Sequence, residues 1–202
     1  MAKFTAQQIR DGIFALNTRR FGTVAETLIK ILANTSWGKD PFHDLYDEAE
    51  LKRIEVKFSR ALRSHDATIR EDNVLEQIVS ADDKSRMFKS SQWKKHRFDC
   101  NIQQVKPREF DILYYGIFFS NKVMIFKINV SDIGKSIRYS DKQHKGNIGE
   151  GQFHLNQDTY EHHLKRHFEA ELTYSQVLKL LLKLQRTHKG VTIRSMLMSL
   201  IV

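Results

Sequence analysis

Asp44, Glu55 and Lys57 lie within "FHDLYDEAELKRIEVKFSRA", residues 42–61, where a hairpin would let them do chemistry together. Side chains of a strand alternate faces, so Ile54, Val56 and Phe58 point one way. Arg53, Glu55, Lys57 and Ser59 then point the other. With "DEAE" as the turn region, pairing Tyr46 with Leu51 sets Leu45 opposite Lys52 and Asp44 opposite Arg53. Asp44 thereby shares a face with Glu55 and Lys57, one diagonal from Glu55, and Asp47 falls in the turn. A diagonal separates β-carbons by roughly 7 Å, a span that suits two carboxylates gripping one divalent cation. Mg²⁺ prefers hard oxygens and keeps several waters, so Asp44, Glu55 and the Val56 carbonyl form an adequate set. Such an ion lowers the pKa of a bound water and polarises a phosphoryl oxygen. The Lys57 ammonium would orient the nucleophile or offset developing charge. The same three residues on a wet strand face would equally form an ion pair worth under about 1 kcal/mol.

The elements that must position these groups follow from periodicity. "TAQQIRDGIFALN" predicts a first helix, with Thr5 as N-cap and Ile9, Ile13 and Leu16 on one face. "TRRFGTVAETLIKILAN" predicts a second, starting after Gly22 with Thr23 as cap and carrying Val24, Leu28 and Ile31 or Leu32 inward. "FHDLYD" and "LKRIEVKF" read as the hairpin strands, and "DNVLEQIVSA" as a short helix. "FDCNIQQV" and "REFDILYYGIFFSNKVMIFKINV" are β-branched and aromatic, hence strands, with "SNK" a turn. Beyond Val130, "HKGNIGEGQF" reads as a flexible loop. "DTYEHHLKRHFEA" and "TYSQVLKLLLKLQRTHK" read as helices, the latter with Val177, Leu181 and Leu184 on its core face. The expected class is α/β or α+β, a mixed central sheet flanked by helices in one domain spanning 1–202. Residues 131–202 would form a C-terminal loop and helices serving recognition or dimerisation, and the apolar tail "SMLMSLIV" a buried element or a subunit contact.

Composition narrows the partners. Among 202 residues, 33 Lys and Arg against 24 Asp and Glu leave a net charge of +9, which favours polyanions. Six of those cations lie between Lys84 and Arg97, in "KSRMFKSSQWKKHR", with no acid among them. Lys89, Lys94, Lys95 and Arg97 suit phosphates and Gln92 a base edge, with Phe88 and Trp93 interleaved. A disordered basic loop that orders on DNA reads the same way. Arg19 and Arg20, between the first two helices, and Ser59 and Arg60, at the end of the second hairpin strand, are further candidate DNA contacts. Gln103 and Gln104 should alternate faces, so one faces the cleft to read adenine or orient water. His163 and His167 have the spacing of a zinc pair but lack the glutamate of H-E-x-x-H, which leaves surface or DNA-facing histidines. Cys100 is the one cysteine, so no internal disulfide forms and a cytoplasmic setting is expected. No run reaches the roughly 20 apolar residues of a membrane span.

The acid at 44, the "EVK" triplet on an apolar-alternating strand and the preceding helix resemble the PD-(D/E)XK nuclease superfamily. Pro41 stands three residues before Asp44 rather than beside it. "LNTRRFGTVAE", "HDLYD", "RIEVKFS" and "IQQVKPREFDILYY" look most like small type II restriction endonucleases, over a core of about residues 16–130. The resemblance implies Asp44 and Glu55 as metal-binding acids and Lys57 as the catalytic lysine. It also implies a further acid from the long helix, Glu26, with Mg²⁺ as cofactor and no small-molecule cofactor. The expected activity is site-specific hydrolysis of double-stranded DNA by a homodimer. A repair or junction-resolving nuclease on the same scaffold and a non-catalytic DNA-binding protein are the rival expectations.

Overall fold

Thr5 opens helix α1 (Ala6–Ala15) with a reciprocal cap: its hydroxyl accepts from the Gln8 N–H at 3.1 Å, and the Gln8 side chain accepts from the Thr5 N–H at 2.9 Å. The computed structural model describes residues 4–64, 68–142 and 148–185. Helix α2 (Thr18–Leu32) starts earlier than the sequence suggests. Asn17 is its N-cap, accepting from the Arg20 N–H at 3.1 Å. Thr23 instead spends its hydroxyl on the Arg19 carbonyl within the helix, and Gly22 is an interior position. Arg19 and Arg20 therefore ride the first turn of α2, both exposed.

Strands β1 (Ser36–Trp37), β2 (Leu45–Asp47) and β3 (Lys52–Arg60) form an antiparallel meander. Short helices α3 (Val74–Val79) and α4 (Asp83–Arg86) and strand β4 (Asp99–Val105) intervene before β5 (Ile112–Phe118), which pairs parallel to β3. Strand β6 (Lys122–Asn129) returns antiparallel beside β5 through the predicted "SNK" turn. The chain closes with β7 (Ser140–Lys142), β8 (Ile148–Asn156), α5 (Tyr160–Arg166), β9 (Phe168–Thr173) and helix α6, residues 174–185. The result is a mixed α+β fold with a six-stranded sheet, β1-β2-β3-β5-β6-β9, and a three-stranded sheet, β4-β8-β7.

Every residue of β5 is buried, so this strand reads as a continuous apolar run. One face, through Ile112, Tyr114 and Phe118, packs with Ile54 and Val56 of β3 against Ile13, Phe21, Leu28 and Ile29 of α1 and α2. Val177 of α6 joins that layer, as its spacing predicts. The other face, through Leu113, Tyr115 and Ile117, packs on Cys100, Ile102, Phe153 and Leu155 of the second sheet and on Tyr160 of α5. Helices thus cover one side of the central sheet, and the second sheet with α5 covers the other. "FDCNIQQV" belongs to that second sheet rather than to the central one.

Two C-terminal expectations are corrected. "NIGEGQF" lies largely in β8, whose Gly151, Phe153 and Leu155 alternate inward, while residues 143–147 fall outside the described part. The "DTYEHHLKRHFEA" helix ends at Arg166, and Phe168–Thr173 becomes the edge strand β9. The "SMLMSLIV" tail lies outside the described residues. Among those described, no helix is long and apolar enough to cross a membrane.

Close packing across the central sheet rests on Gly116. A β-carbon there would stand 2.3 Å from the Met124 carbonyl oxygen and 2.3 Å from the Phe58 ring. Gly116→Ala should lower unfolding free energy by about 1–3 kcal/mol, the usual cost of overpacking. A urea midpoint equal to that of the unaltered protein would contradict the contact.

Candidate active site

Asp44 is held at the mouth of β2 by its backbone. Its N–H donates to the Ile54 carbonyl at 3.1 Å, and its own carbonyl accepts from the Gly38 N–H at 2.9 Å. The hairpin register is Leu45 opposite Ile54, Tyr46 opposite Arg53 and Asp47 opposite Lys52, two residues removed from the expected pairing. Asp44 itself precedes this ladder, beside Ile54 and Val56, and its charge still reaches Glu55. The Asp47 carboxylate takes the Ala49 and Glu50 N–H groups at 2.9 and 3.1 Å, which tightens the turn. A shift of two keeps the paired side chains on their faces, and Asp44 remains close enough to raise the Glu55 pKa.

The Asp44 carboxylate accepts the Val56 N–H at 2.9 Å through Oδ2. A strand residue points its N–H and C=O to the same neighbour, so the Val56 carbonyl faces the same edge, beyond the first residue of β2. Lys57 Nζ contacts Glu55 Oε1 on the face shared with Leu113 and Tyr115 of β5. Burial raises the Glu55 carboxyl to about 7; Lys57 opposes this, and Asp44 and Glu109 add to it. Glu26 on α2 is also raised, by burial first, then by Asp44, with Lys57 opposing. Four groups predicted from sequence thus share one electrostatic neighbourhood.

The donors fit a hard cation. Asp44 Oδ1 and Glu55 Oε2 are bonded to no described side chain, and the Val56 carbonyl adds a third oxygen. Among the described residues, no three His, Cys, Asp or Glu side chains are grouped to hold a metal. Glu26 lies within electrostatic reach of Asp44 and Lys57.

Sequence reasoning missed the segment between β4 and β5. Asp111 takes the Arg53 backbone N–H at 2.9 Å and its guanidinium at 3.1 and 3.2 Å. This clamp sets Glu109 near enough to raise Glu55. Lys106 bridges Glu109 at 3.7 Å and Glu150 of β8 at 3.3 Å. "KPRE" carried no periodic signal that could have flagged it.

The candidate DNA contacts scatter. Gln103 and Gln104 are both exposed, because β4 bulges between Ile102 and Val105 with Gln104 at φ 57°. The alternation that should have turned one inward fails there. Arg60 is a structural clamp, donating to the Leu16 carbonyl and lying 4.2 Å over the Phe21 ring. Ser59 is half-buried. The basic segment is folded: Phe88 is core, against Phe98 and Phe119, and Trp93 packs on Tyr160. Gln92 caps a 3₁₀ turn through the Lys89 N–H at 3.0 Å. Lys94 stands over Trp93 at 5.0 Å, and Lys89, Lys95 and Arg97 are exposed. His163 is not a surface residue but is 2% exposed, its Nδ1 2.8 Å from the Tyr115 hydroxyl.

Fold and site together define a mixed α+β protein with a carboxylate–lysine cluster on one strand face. Comparisons with protein-family models, curated proteins and solved structures found no match.

Proposed function

We propose that this chain is a Mg²⁺-dependent endonuclease that hydrolyses phosphodiester bonds of double-stranded DNA, of the type II restriction kind, acting as a homodimer in the cytoplasm. The observation that carries the reading is the Glu55 carboxyl, raised to about 7 by burial, with Lys57 in contact and Asp44 close enough to act on its charge. A solvated ion pair gives no reason to bury an acid in this way. The resemblance of "EVK" and its setting to PD-(D/E)XK nucleases, and the net charge of +9, support the same conclusion.

In this mechanism Asp44, Glu55 and the Val56 carbonyl would hold the cation, which when bound would activate a water and polarise the scissile phosphoryl group. Lys57 would orient the attacking water and offset charge on the phosphoryl oxygens, the leaving oxygen taking its proton from solvent as the P–O bond breaks. Glu26 and Glu109 set the local charge. A homodimer would present two such sites with two-fold symmetry, matching a palindromic target.

Incubating the purified protein with plasmid DNA tests the reading. Discrete fragments are expected with MgCl₂ and none with EDTA. Absence of product at every Mg²⁺ concentration would overturn it, and cutting confined to branched DNA would assign a junction-resolving enzyme instead.

A further inference from the structure

We infer that the chain carries a second anion site, a phosphate-binding cavity past the far end of β3, separate from the carboxylates. A cavity of about 470 Å³ is lined by Arg63, Arg86, Lys95 and Arg97, with Ser64, Ser85 and His96. No acid is among these lining residues.

The walls are built by backbone pairing. Leu62 bridges Met87, the Arg63 N–H donates to the Arg86 carbonyl at 3.0 Å, and the Ser64 N–H donates to the Arg97 carbonyl at 2.8 Å. Phe88 and Phe98, both 3% exposed, anchor the second wall, and His96 lies edge-on to Phe88 at 5.3 Å.

Internal partners use only part of their capacity. Arg63 donates to the Ser85 carbonyl, and Arg86 to the Arg63 carbonyl at 2.9 Å and to Asp83 at 3.2 Å. Guanidinium groups carry five donors each, so several remain. Lys95 and Arg97 have no side-chain partner among the described residues. Convergent Arg and Lys donors with a single carboxylate partner, Asp83 on Arg86, match a phosphate dianion, which offers several acceptor oxygens and further negative charge.

The site lies apart from the chemistry. A strand rises about 3.3 Å per residue, so Arg60 is already ~16 Å along from Glu55, and Arg63 lies further on. The ligand group is a phosphate, belonging either to a nucleic-acid backbone or to a free phosphate compound.

Isothermal titration of the full chain with inorganic phosphate, in EDTA at constant ionic strength, tests this without requiring nuclease activity. One saturable site is expected. Lys95→Ala/Arg97→Ala should weaken it by at least about tenfold, with an unchanged thermal midpoint in chloride because both side chains are exposed and unpartnered. No saturable binding, or equal affinity in the double variant, would overturn the site. Adding a 20-base-pair duplex separates the sources: displacement of phosphate assigns a backbone phosphate, and undisturbed phosphate binding assigns a free phosphate compound.

Discussion

Glu55→Gln should lower Mg²⁺-dependent DNA cleavage by about a thousandfold or more and at the same time make the folded protein more stable above pH 7. The loss of rate follows from removing one of two carboxylates that hold the cation. The gain in stability follows from burial. Glu55 titrates near 7 in the fold, against about 4.5 in the unfolded chain. Between those values the native state holds a proton that the unfolded state has released, so stability is full below pH 4.5 and falls as pH rises through 7. The shift corresponds to roughly 3–4 kcal/mol, which the glutamine variant does not lose. An ordinary surface ion pair behaves oppositely, since removing Glu55 would leave stability equal or lower at pH 8. Urea melts at pH 5 and 8 combined with single-turnover cleavage would decide. A variant that still cuts, or is weaker at pH 8, sinks the site.

The second large effect belongs to His163, which packs among Tyr115, Phe126 and Phe153. Burial pushes its pKa down to about 3, and His167 and His162 add to the shift. Its unfolded value is near 6.5, so between 6.5 and 3 the unfolded chain binds a proton that the native state refuses. Stability from this group is present above pH 6.5 and is lost as pH falls toward 3, by up to ~5 kcal/mol. Asp132 and Ser136 moderate the neighbouring His167, whose pKa is also lowered, by burial first. His163→Phe removes the titration, and pairing it with Tyr115→Phe avoids an orphaned hydroxyl.

Glu55 and His163 pull in opposite directions between about pH 4.5 and 6.5. The unaltered protein should therefore show a shallow stability profile there. Acidification should weaken Glu55→Gln and strengthen the His163→Phe/Tyr115→Phe variant. Parallel profiles for all three proteins would show that neither group is buried as described.

Much of the site was legible because it depends on parity. Glu55 and Lys57 share a face by alternation alone, and Asp44 stays near them although the hairpin register differs by two residues. Helix α2, strands β5 and β6 and the inward Val177 were equally readable from local period. Alternation failed at Gln104, where a bulge inserted an unpaired residue. It also failed at β8 and β9, where glycines and a helix-like charge pattern masked strands that pair with β4 and β6.

The sequence by itself determined which residue types share a strand face, where the long helices run and how the net charge leans. Tertiary structure alone decided that Glu55 is largely buried, that Glu109 acts on its charge, and that Arg63 and Arg86 meet Lys95 and Arg97 around one cavity. Those outcomes join residues far apart in the chain, and desolvation and long-range pairing are properties of the packed whole that no local pattern encodes.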